Sequence, residues 1–377
     1  MYQKAEVGSI LRGFGKLIET TGFNSFQLRT LSALRSCRTS ELGGHVDACT
    51  ACGTVRISYN SCRNRHCPKC QGSKREEWIE ARKSELLPVP YFHLVFTLPE
   101  ELNRMCMQYP KALYGMLFKS AWETLRMFAG EKGMKTGMVS VLHTWGQNLG
   151  LHPHLHCIVP SGGISKQKAW KHISTEGKYL FPVKALSMVF RAKYVSHLRK
   201  SGLASQPMID LLFANPWVVY ARRPFVHPWH VVEYLGRYTH KVAISNSRII
   251  SYENRKVRFY YKDYRHGGIK KEMELDDTEF IRRFALHILP QGFVRIRHYG
   301  ILSSTTKREA IPCIREQMTE KKNCFVDRRN IKSYDPVICP CCGKPAMLTV
   351  EIIPSRGPPK METGKYPQKT LRQTLTP

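Results

Sequence analysis

A short segment rich in histidine constrains this chain more than any other. Residues 151–160 read Leu-His-Pro-His-Leu-His-Cys-Ile-Val-Pro, and the run from Leu155 onward is apolar and ends at Pro160. Such a run predicts a short buried strand. Because side chains alternate between the two faces of a strand, His154 and His156 point the same way while Leu155 points into a core. The pair predicts a site for a divalent cation, although polar residues on a strand face give the same pattern.

A second strand is predicted over residues 138–145, and the connection Gly-Gln-Asn-Leu-Gly that follows it indicates an antiparallel hairpin. Gln147 falls at the tip of this hairpin. We predict that the oxygen of its side-chain amide is the third ligand of the cation. His143 and His152 are the alternatives. His152 precedes Pro153, and a proline predicts the entrance of a strand, since it cannot donate a hydrogen bond to the ladder.

The charge of the chain predicts a polyanionic partner. Its 377 residues include 59 Lys and Arg against 29 Asp and Glu, a formal net charge of +30. An excess of this size favours nucleic acid. No hydrophobic run approaches the length of a bilayer span, and the N-terminus lacks a secretory signal. We therefore expect a cytoplasmic, nucleoid-associated protein that does not bind a membrane.

Thirteen cysteines in a chain without a secretory signal predict metal ligands in preference to disulfides. Two Cys-x-x-Cys pairs with fourteen residues between them match a four-thiolate structural zinc site. The four predicted zinc ligands are Cys49, Cys52, Cys67 and Cys70. A possible second zinc site, or simply interior and surface residues, is formed by Cys37, His45, Cys62 and His66.

A further half site occurs near the C-terminus, where residues 339–343 read Cys-Pro-Cys-Cys-Gly. The partners considered for it are Cys313 and Cys324. Spacing alone does not determine which cysteines share a metal site, so no role is predicted for this half site.

Residues 230–240 have helical periodicity after two prolines, and they contain Tyr234 and Tyr238. Side chains four residues apart lie on the same face of a helix, so the two phenols are expected side by side. A divalent ion on the histidines can polarise a phosphodiester. A tyrosine near that ion can attack phosphorus and form a covalent phosphotyrosine. Later segments in which Lys and Arg are interspersed with Tyr have a composition suited to binding single-stranded nucleic acid.

These motifs together resemble those of the HUH rolling-circle transposases of bacterial insertion sequences, specifically the insertion-sequence ninety-one group. The resemblance spans about residues 30–310, and four segments carry it: 58–70 (Ser-Tyr-Asn-Ser-Cys-Arg-Asn-Arg-His-Cys-Pro-Lys-Cys), 88–93 (Pro-Val-Pro-Tyr-Phe-His), 152–156 (His-Pro-His-Leu-His) and 234–240 (Tyr-Leu-Gly-Arg-Tyr-Thr-His). It implies that His154 and His156 hold a catalytic Mg²⁺ or Mn²⁺ and that Tyr234 and Tyr238 are the nucleophiles. It also implies an N-terminal zinc-binding domain and action on single-stranded transposon ends and target DNA.

The fold class expected is α+β. A helical and zinc-ribbon-like module precedes a nuclease domain, whose central antiparallel sheet carries the histidine pair and is flanked by helices. The predicted boundaries are 1–36 for a helical lead-in, 37–87 for a zinc-binding DNA-contact domain, 88–310 for the two-tyrosine nuclease domain and 311–377 for a basic extension with a disordered tail.

Three other functions are compatible with parts of the pattern. A plasmid replication initiator or relaxase uses the same chemistry. A histidine-triad nucleotide hydrolase has alternating histidines like those at 152, 154 and 156, but it needs neither the charge nor the zinc module. A zinc-dependent regulator would bind DNA without cutting it.

Overall fold

The structure is a computed structural model, and it describes residues 5–15, 22–71, 76, 78–79, 82, 85–173, 180–225, 230–231, 236, 241–318 and 335–355. The chain forms two compact units. The larger consists of residues 1–35 and 63–331, and the smaller of residues 36–62 and 332–377. Among the described residues, no helix combines the length and the apolar character needed to cross a bilayer.

Eight α-helices lie in the described residues: α1 Val7–Phe14, α2 Ser25–Arg35, α3 Asn103–Gln108, α4 Pro110–Glu131, α5 Val183–Lys200, α6 Gln206–Ala214, α7 Asp277–Ala285 and α8 Lys307–Glu316. The strands are β1 Gly44–Cys49, β2 Val55–Tyr59, β3 Tyr91–Thr97, β4 Gly137–Trp145, β5 Leu151–Pro160, β6 Gly162–Ile164, β7 Trp170–His172, β8 Val219–Phe225, β9 Ile249–Glu253, β10 Lys256–Asp263, β11 Ile269–Asp276, β12 Ile296–Gly300 and β13 Met347–Ile353. This mixture of helices and antiparallel sheets confirms the predicted α+β class.

The larger unit is built on a five-stranded sheet in the order β12-β4-β5-β3-β8. Every pairing in it is antiparallel. The histidine strand β5 lies at the centre, between β4 and β3, as expected. The predicted hairpin of β4 and β5 is also confirmed, with His143 directly opposite His154.

One face of this sheet packs against helices α4 and α5. Leu155, Cys157 and Val159 of β5 belong to a core that also contains Phe118 of α4 and Phe190 of α5. Because side chains alternate along a strand, the even-numbered residues of β5 lie on the opposite face. The sheet thus presents His154 and His156 on the side away from these helices.

The opposite face has an apolar cluster of its own. Ile158 of β5, Val141 of β4 and Tyr91 of β3 are buried there together with Val231 and Ile311. Val231 comes directly before the segment that carries the two tyrosines. Val231 therefore lies on the same side of the sheet as the histidines.

A second sheet of the larger unit has the order β11-β10-β9. Phe259 of β10 is fully buried against Phe280 of α7, with the rings in an edge-to-face contact at 5.9 Å. Tyr252 and Arg255 donate hydrogen bonds to the buried carboxylate of Asp277 at the start of α7. The sheet is thereby fixed to the helix.

The smaller unit contains a three-stranded antiparallel sheet in the order β13-β1-β2. The buried Asp47 of β1 accepts hydrogen bonds from Arg56 of β2 at 3.1 Å and from Thr349 of β13 at 2.8 Å. Residues 335–355 therefore belong to the same unit as β1. In this division residues 63–87 fall in the larger unit, and the C-terminal segment completes the small sheet.

Candidate functional site

Three histidines of the larger unit come together on the face of the sheet opposite α4 and α5, and His143 and His156 are buried there. Nitrogen atoms of His143, His154 and His156 all lie within 4.8 Å of one another. His143 is on β4, and the other two are on β5. The ring centroids of His154 and His156 are 4.9 Å apart, and the centroid of His143 lies 4.7 Å from that of His156. This spacing suits three imidazole nitrogens that converge on one cation.

Neighbouring groups fix two of the rings. His154 Nδ1 donates a hydrogen bond to the carbonyl of His152 at 2.6 Å, so Nε2 is the nitrogen that points away from the strand backbone. His156 Nδ1 and His93 Nε2 share a hydrogen bond at 2.9 Å, and these rings stack with an interplanar angle of 12°. A hydrogen bond of this kind to a ligand histidine sets its tautomer and ring orientation.

Burial disfavours the charged form of two of these imidazoles, His154 and His156. Desolvation lowers the pKa of His154 to about 4. Desolvation, together with the neighbouring His143 and His154, lowers the pKa of His156 well below its usual value. Neutral imidazole is the form that binds a metal ion, so the site is in a binding-competent state at neutral pH.

The structure places His143, and not the predicted third ligand Gln147, beside His154 and His156. The register sets His143 opposite His154, whereas Gln147 lies in the turn beyond Trp145, which pairs with Leu151. The Gln147 carbonyl accepts a hydrogen bond from Arg248, which ties the turn to the second sheet. The side chain of His152 is exposed, and its backbone carbonyl accepts the hydrogen bond from His154.

Tyr234 and Tyr238, the predicted nucleophiles, lie outside the described residues. The described residues on either side of their segment are Val231, buried in the cluster on the histidine face, and Lys241. Lys241 is close enough for its charge to act on both His154 and His156. Its own pKa is lowered by desolvation and by the neighbouring cations Arg248 and Lys262.

The structure groups the cysteines differently from the predicted four-thiolate set. In the smaller unit, the sulfurs of four cysteines lie within 4.8 Å of one another, and these are Cys49, Cys52, Cys339 and Cys342. The pairing of β13 with β1 brings the two pairs together. Cys49 and Cys52 are thus grouped with the C-terminal half site, for which Cys313 and Cys324 were the partners considered.

The other cysteines predicted as zinc ligands are Cys37, Cys62, Cys67 and Cys70. In the smaller unit, the Cys62 backbone amide donates to Cys37 Sγ at 3.5 Å. In the larger unit, Cys67 and Cys70 are buried on one turn, where the Cys70 amide donates to the Cys67 carbonyl at 3.2 Å. All four cysteines stay candidate metal ligands.

Neither histidine of the proposed second zinc set is placed as a ligand. His45 Nε2 lies 3.3 Å from the carboxylate of Asp47. His66 Nε2 accepts a hydrogen bond from Arg65 at 3.3 Å, and burial, with the charge of Arg65, lowers the pKa of His66 to about 3. Each of these contacts engages one ring nitrogen, Nε2.

Two residues of the histidine site carried weaker signals in the sequence. His143 was only an alternative, because its position opposite His154 depends on the register of the hairpin. His93 ends the Pro-Val-Pro-Tyr-Phe-His segment, which supported the family resemblance without indicating a role for this histidine.

Comparison with known families gives two matches along the chain. Residues 10–98 match the family described as "Transposase zinc-binding domain". Residues 137–310 match the family described as "Putative transposase", a range that includes all three clustered histidines and both tyrosines. No solved structure matches the chain.

Curated relatives extend the similarity over nearly the whole length. A protein of Sinorhizobium fredii described as "Putative transposase y4qJ" is 41% identical over 388 positions, which cover 94% of this chain and 97% of that protein. The "Transposase for insertion sequence element IS801" of Pseudomonas savastanoi is 29% identical and covers 89% of this chain and 86% of its own length. With these relatives, the zinc-binding match and a histidine cluster inside the transposase match, the chain belongs to the IS91 family of insertion-sequence transposases, which act on DNA.

Proposed function

We propose that this transposase nicks and rejoins single-stranded DNA at transposon ends through a covalent 5′-phosphotyrosine, in rolling-circle-type transposition. Tyr234 and Tyr238 are the proposed nucleophiles. His143, His154 and His156 are the proposed ligands of a divalent ion. The convergence of these three imidazoles on the face of the central sheet opposite α4 and α5 is the observation that carries the proposal.

The ends of the tyrosine segment support this assignment. Val231 is buried against the sheet face that carries the histidines, and Lys241 acts electrostatically on His154 and His156. Tyr238 is three residues before Lys241, a stretch that spans at most about 10 Å. A phenol within that reach of Lys241 can approach a phosphate held at the histidines.

The proposed reaction exchanges one phosphodiester for another. The phenol oxygen of a tyrosine attacks phosphorus, the bond from phosphorus to the 3′ oxygen breaks, and the phenol proton passes to that departing oxygen. The 5′ phosphate stays on the tyrosine and a 3′-hydroxyl is released. Attack by a 3′-hydroxyl on the phosphotyrosine reverses these steps, so a strand can be rejoined without a nucleotide cofactor.

The donor set indicates which ion fits. Three neutral imidazoles supply only nitrogen, which suits Mn²⁺ better than Mg²⁺, since Mg²⁺ prefers oxygen ligands and keeps several waters. When bound, the ion polarises the scissile phosphate and stabilises charge on the leaving oxygen. The hydrogen bond between His93 and His156 holds one of the three rings in place, so His93 acts as a positioning residue.

The second sheet offers a surface for the DNA strand. Lys270 Nζ lies 3.4 Å from the ring centroid of Tyr260, and the side chain of Tyr264 is 70% exposed. Aromatic rings beside cations bind single-stranded DNA by stacking on bases and attracting the backbone. The arginines at 282 and 283 are paired with Glu279, so they contribute less free charge to this surface than the sequence suggested.

Replacement of both tyrosines tests the proposal. Labelled single-stranded oligonucleotides from the flanks of the gene are incubated with the protein and Mn²⁺ or Mg²⁺, and cleavage is followed on denaturing gels. The double variant Tyr234→Phe, Tyr238→Phe is expected to bind the oligonucleotides but not to cut them. Tyr109→Phe, at a partly exposed tyrosine between α3 and α4, is the matched control and should cut normally. Cleavage by the double variant at the wild-type rate would disprove the tyrosine mechanism.

A further inference from the structure

We propose that Cys49, Cys52, Cys339 and Cys342 bind one structural zinc ion, which joins the C-terminal segment to the N-terminal strand β1. The two cysteine pairs are almost 290 residues apart in the sequence. The C-terminal pair lies beyond both family matches, which cover residues 10–98 and 137–310. The zinc-binding module of this chain is therefore completed by residues near its other end.

The backbone is folded in the same way around each pair. The amide of Gly53 donates to the carbonyl of Cys49 at 2.9 Å, and the amide of Gly343 donates to the carbonyl of Cys339 at 2.9 Å. The amides of Cys49 and Cys339 donate to the carbonyls of residues 54 and 344, at 2.9 and 2.8 Å. The first pair therefore has the same turn as the second, as expected for two knuckles around one tetrahedral ion.

The glycine in each turn is required by its backbone angle. Gly53 and Gly343 both have φ of +71°, in the left-handed region that favours glycine. A Cβ at either position would meet nothing within 4 Å, so lack of space is not the reason. Each knuckle therefore has a glycine at the position where its backbone requires one, although the two segments are far apart in the chain.

The sulfur positions fit tetrahedral zinc. Cys49 Sγ lies 3.7 Å from Cys342 Sγ, and Cys52 Sγ lies 3.7 Å from Cys339 Sγ. With zinc–sulfur bonds of about 2.3 Å, a tetrahedral site places its sulfurs about 3.8 Å apart. The amide of Cys341 donates to Cys339 Sγ at 3.4 Å, and such a bond stabilises a thiolate.

The smaller unit has little else to hold the two segments together. The apolar cluster around the cysteines consists of Cys49, Cys339 and Met347, with Ala346 packed against it. Leu348, Val350 and Ile352 of β13 are more than half exposed. A unit with so small a core needs a metal or other crosslink to be stable, so the pairing of β13 with β1 is expected to depend on zinc.

The test compares two neighbouring cysteines in the full-length protein. Cys342→Ser removes a proposed ligand, whereas Cys341→Ser changes an exposed cysteine outside the set of four. Zinc per chain is measured by elemental mass spectrometry, and hydrogen exchange of the β13 amides by peptide mass spectrometry. Cys342→Ser is expected to lose one zinc per chain and about tenfold or more of the β13 protection. Cys341→Ser should match the wild type in both.

A second variant and a chelator titration test the proposal if Cys342→Ser folds poorly. Cys342→His offers zinc another good ligand and should retain the ion. In the wild type, stepwise removal of zinc by a chelator should expose β13 in proportion to the zinc lost, while the amides of β5 in the larger unit stay protected. Equal zinc content in Cys342→Ser and Cys341→Ser, β13 protection that persists after all zinc is removed, or a disulfide between these cysteines in the purified protein would overturn the proposal.

Discussion

His143 is the residue on which the geometry of the histidine site most depends. It lies opposite His154 on the neighbouring strand and supplies the third imidazole, while Gln147 is in the turn. We expect His143→Ala to lower metal-dependent cleavage by more than about a hundredfold, since changes to groups that only support a ligand already cost ten- to a hundredfold. Gln147→Ala, the matched control, should cleave normally. The rates are measured with the same oligonucleotides, and equal loss in both variants would contradict the assignment.

His93 supports the site without being one of the three ligands. Its hydrogen bond at 2.9 Å orients His156. His93→Ala should weaken Mn²⁺ binding about 10- to 100-fold, because the ring of His156 is no longer held. Titration with Mn²⁺ should show the concentration for half-maximal cleavage rising while the rate at saturation is largely retained. A lower rate at saturation with no change in the Mn²⁺ requirement would assign His93 a different role.

The limits of sequence reasoning at this scale follow from register. Alternation along a strand correctly predicted that His154 and His156 share a face. The third ligand could not be chosen in the same way, because the residue opposite His154 depends on how many residues the turn takes. The turn occupies residues 146–150 and brings His143, not Gln147, to that position.

At the scale of elements, His287 secures the hairpin that carries the site. It follows α7, and its Nε2 donates to the Leu149 carbonyl in the turn at 3.0 Å while its Nδ1 accepts from Thr144 of β4 at 3.1 Å. The bond from Thr144 requires a neutral ring, because a protonated Nδ1 cannot accept a hydrogen bond, whereas the bond to Leu149 forms in either charge state. Burial lowers the pKa of His287 to about 4, against about 6.5 in an unfolded chain.

This pKa predicts loss of stability in mild acid. A lowered folded-state pKa means that the stabilisation is complete above about pH 6.5 and is lost as the pH falls toward about 4. Between about pH 7 and pH 5, His287 should account for about 2 kcal/mol of the free energy of unfolding. His287→Gln keeps a donor for Leu149 but does not titrate. Its free energy of unfolding, measured with urea, should therefore fall less over this pH range than that of the wild type. Equal losses in both proteins would contradict this role.

Some segments follow their sequence patterns closely. The apolar run at 91–98 predicts a strand and the segment 184–200 predicts a helix, and β3 and α5 lie there. The run at 216–220 also predicts a strand, but the strand extends over Val219–Phe225. The run Val242-Ala243-Ile244, which reads as a strand, is buried without being one. A run of three apolar residues can be buried in a loop as readily as in a strand, so burial alone does not select the conformation.

At the scale of the whole molecule, the charge of +30 predicts strongly salt-dependent DNA binding. Each phosphate contact with single-stranded DNA contributes about −0.7 to the slope of log affinity against log salt. With about five contacts, affinity should fall on the order of a hundredfold between about 50 and about 200 mM salt. Fluorescence anisotropy should give the same slope for the wild type and for His154→Ala, His156→Ala. Affinity independent of salt would be inconsistent with binding through the phosphates.

The pairing of the cysteines also belongs to this scale. Spacing indicated candidate metal-binding pairs and led us to combine pairs that are close in the sequence, although the cost of closing a long loop grows only slowly with its length. Cys339 and Cys342 were therefore left unassigned, although β13 pairs with β1 and brings them to Cys49 and Cys52. Such long-range closure can be predicted only when the strand order is known.

The most direct test of the tyrosine mechanism is to identify the covalent adduct. The wild-type protein is incubated with single-stranded oligonucleotides from the element's ends and Mn²⁺, digested with protease and nuclease, and analysed by peptide mass spectrometry. We predict a 5′-phosphonucleotide on the peptide that contains Tyr234 and Tyr238, absent without metal and from His154→Ala, His156→Ala. Cleavage without any adduct, or an adduct on a residue outside this segment, would contradict the account.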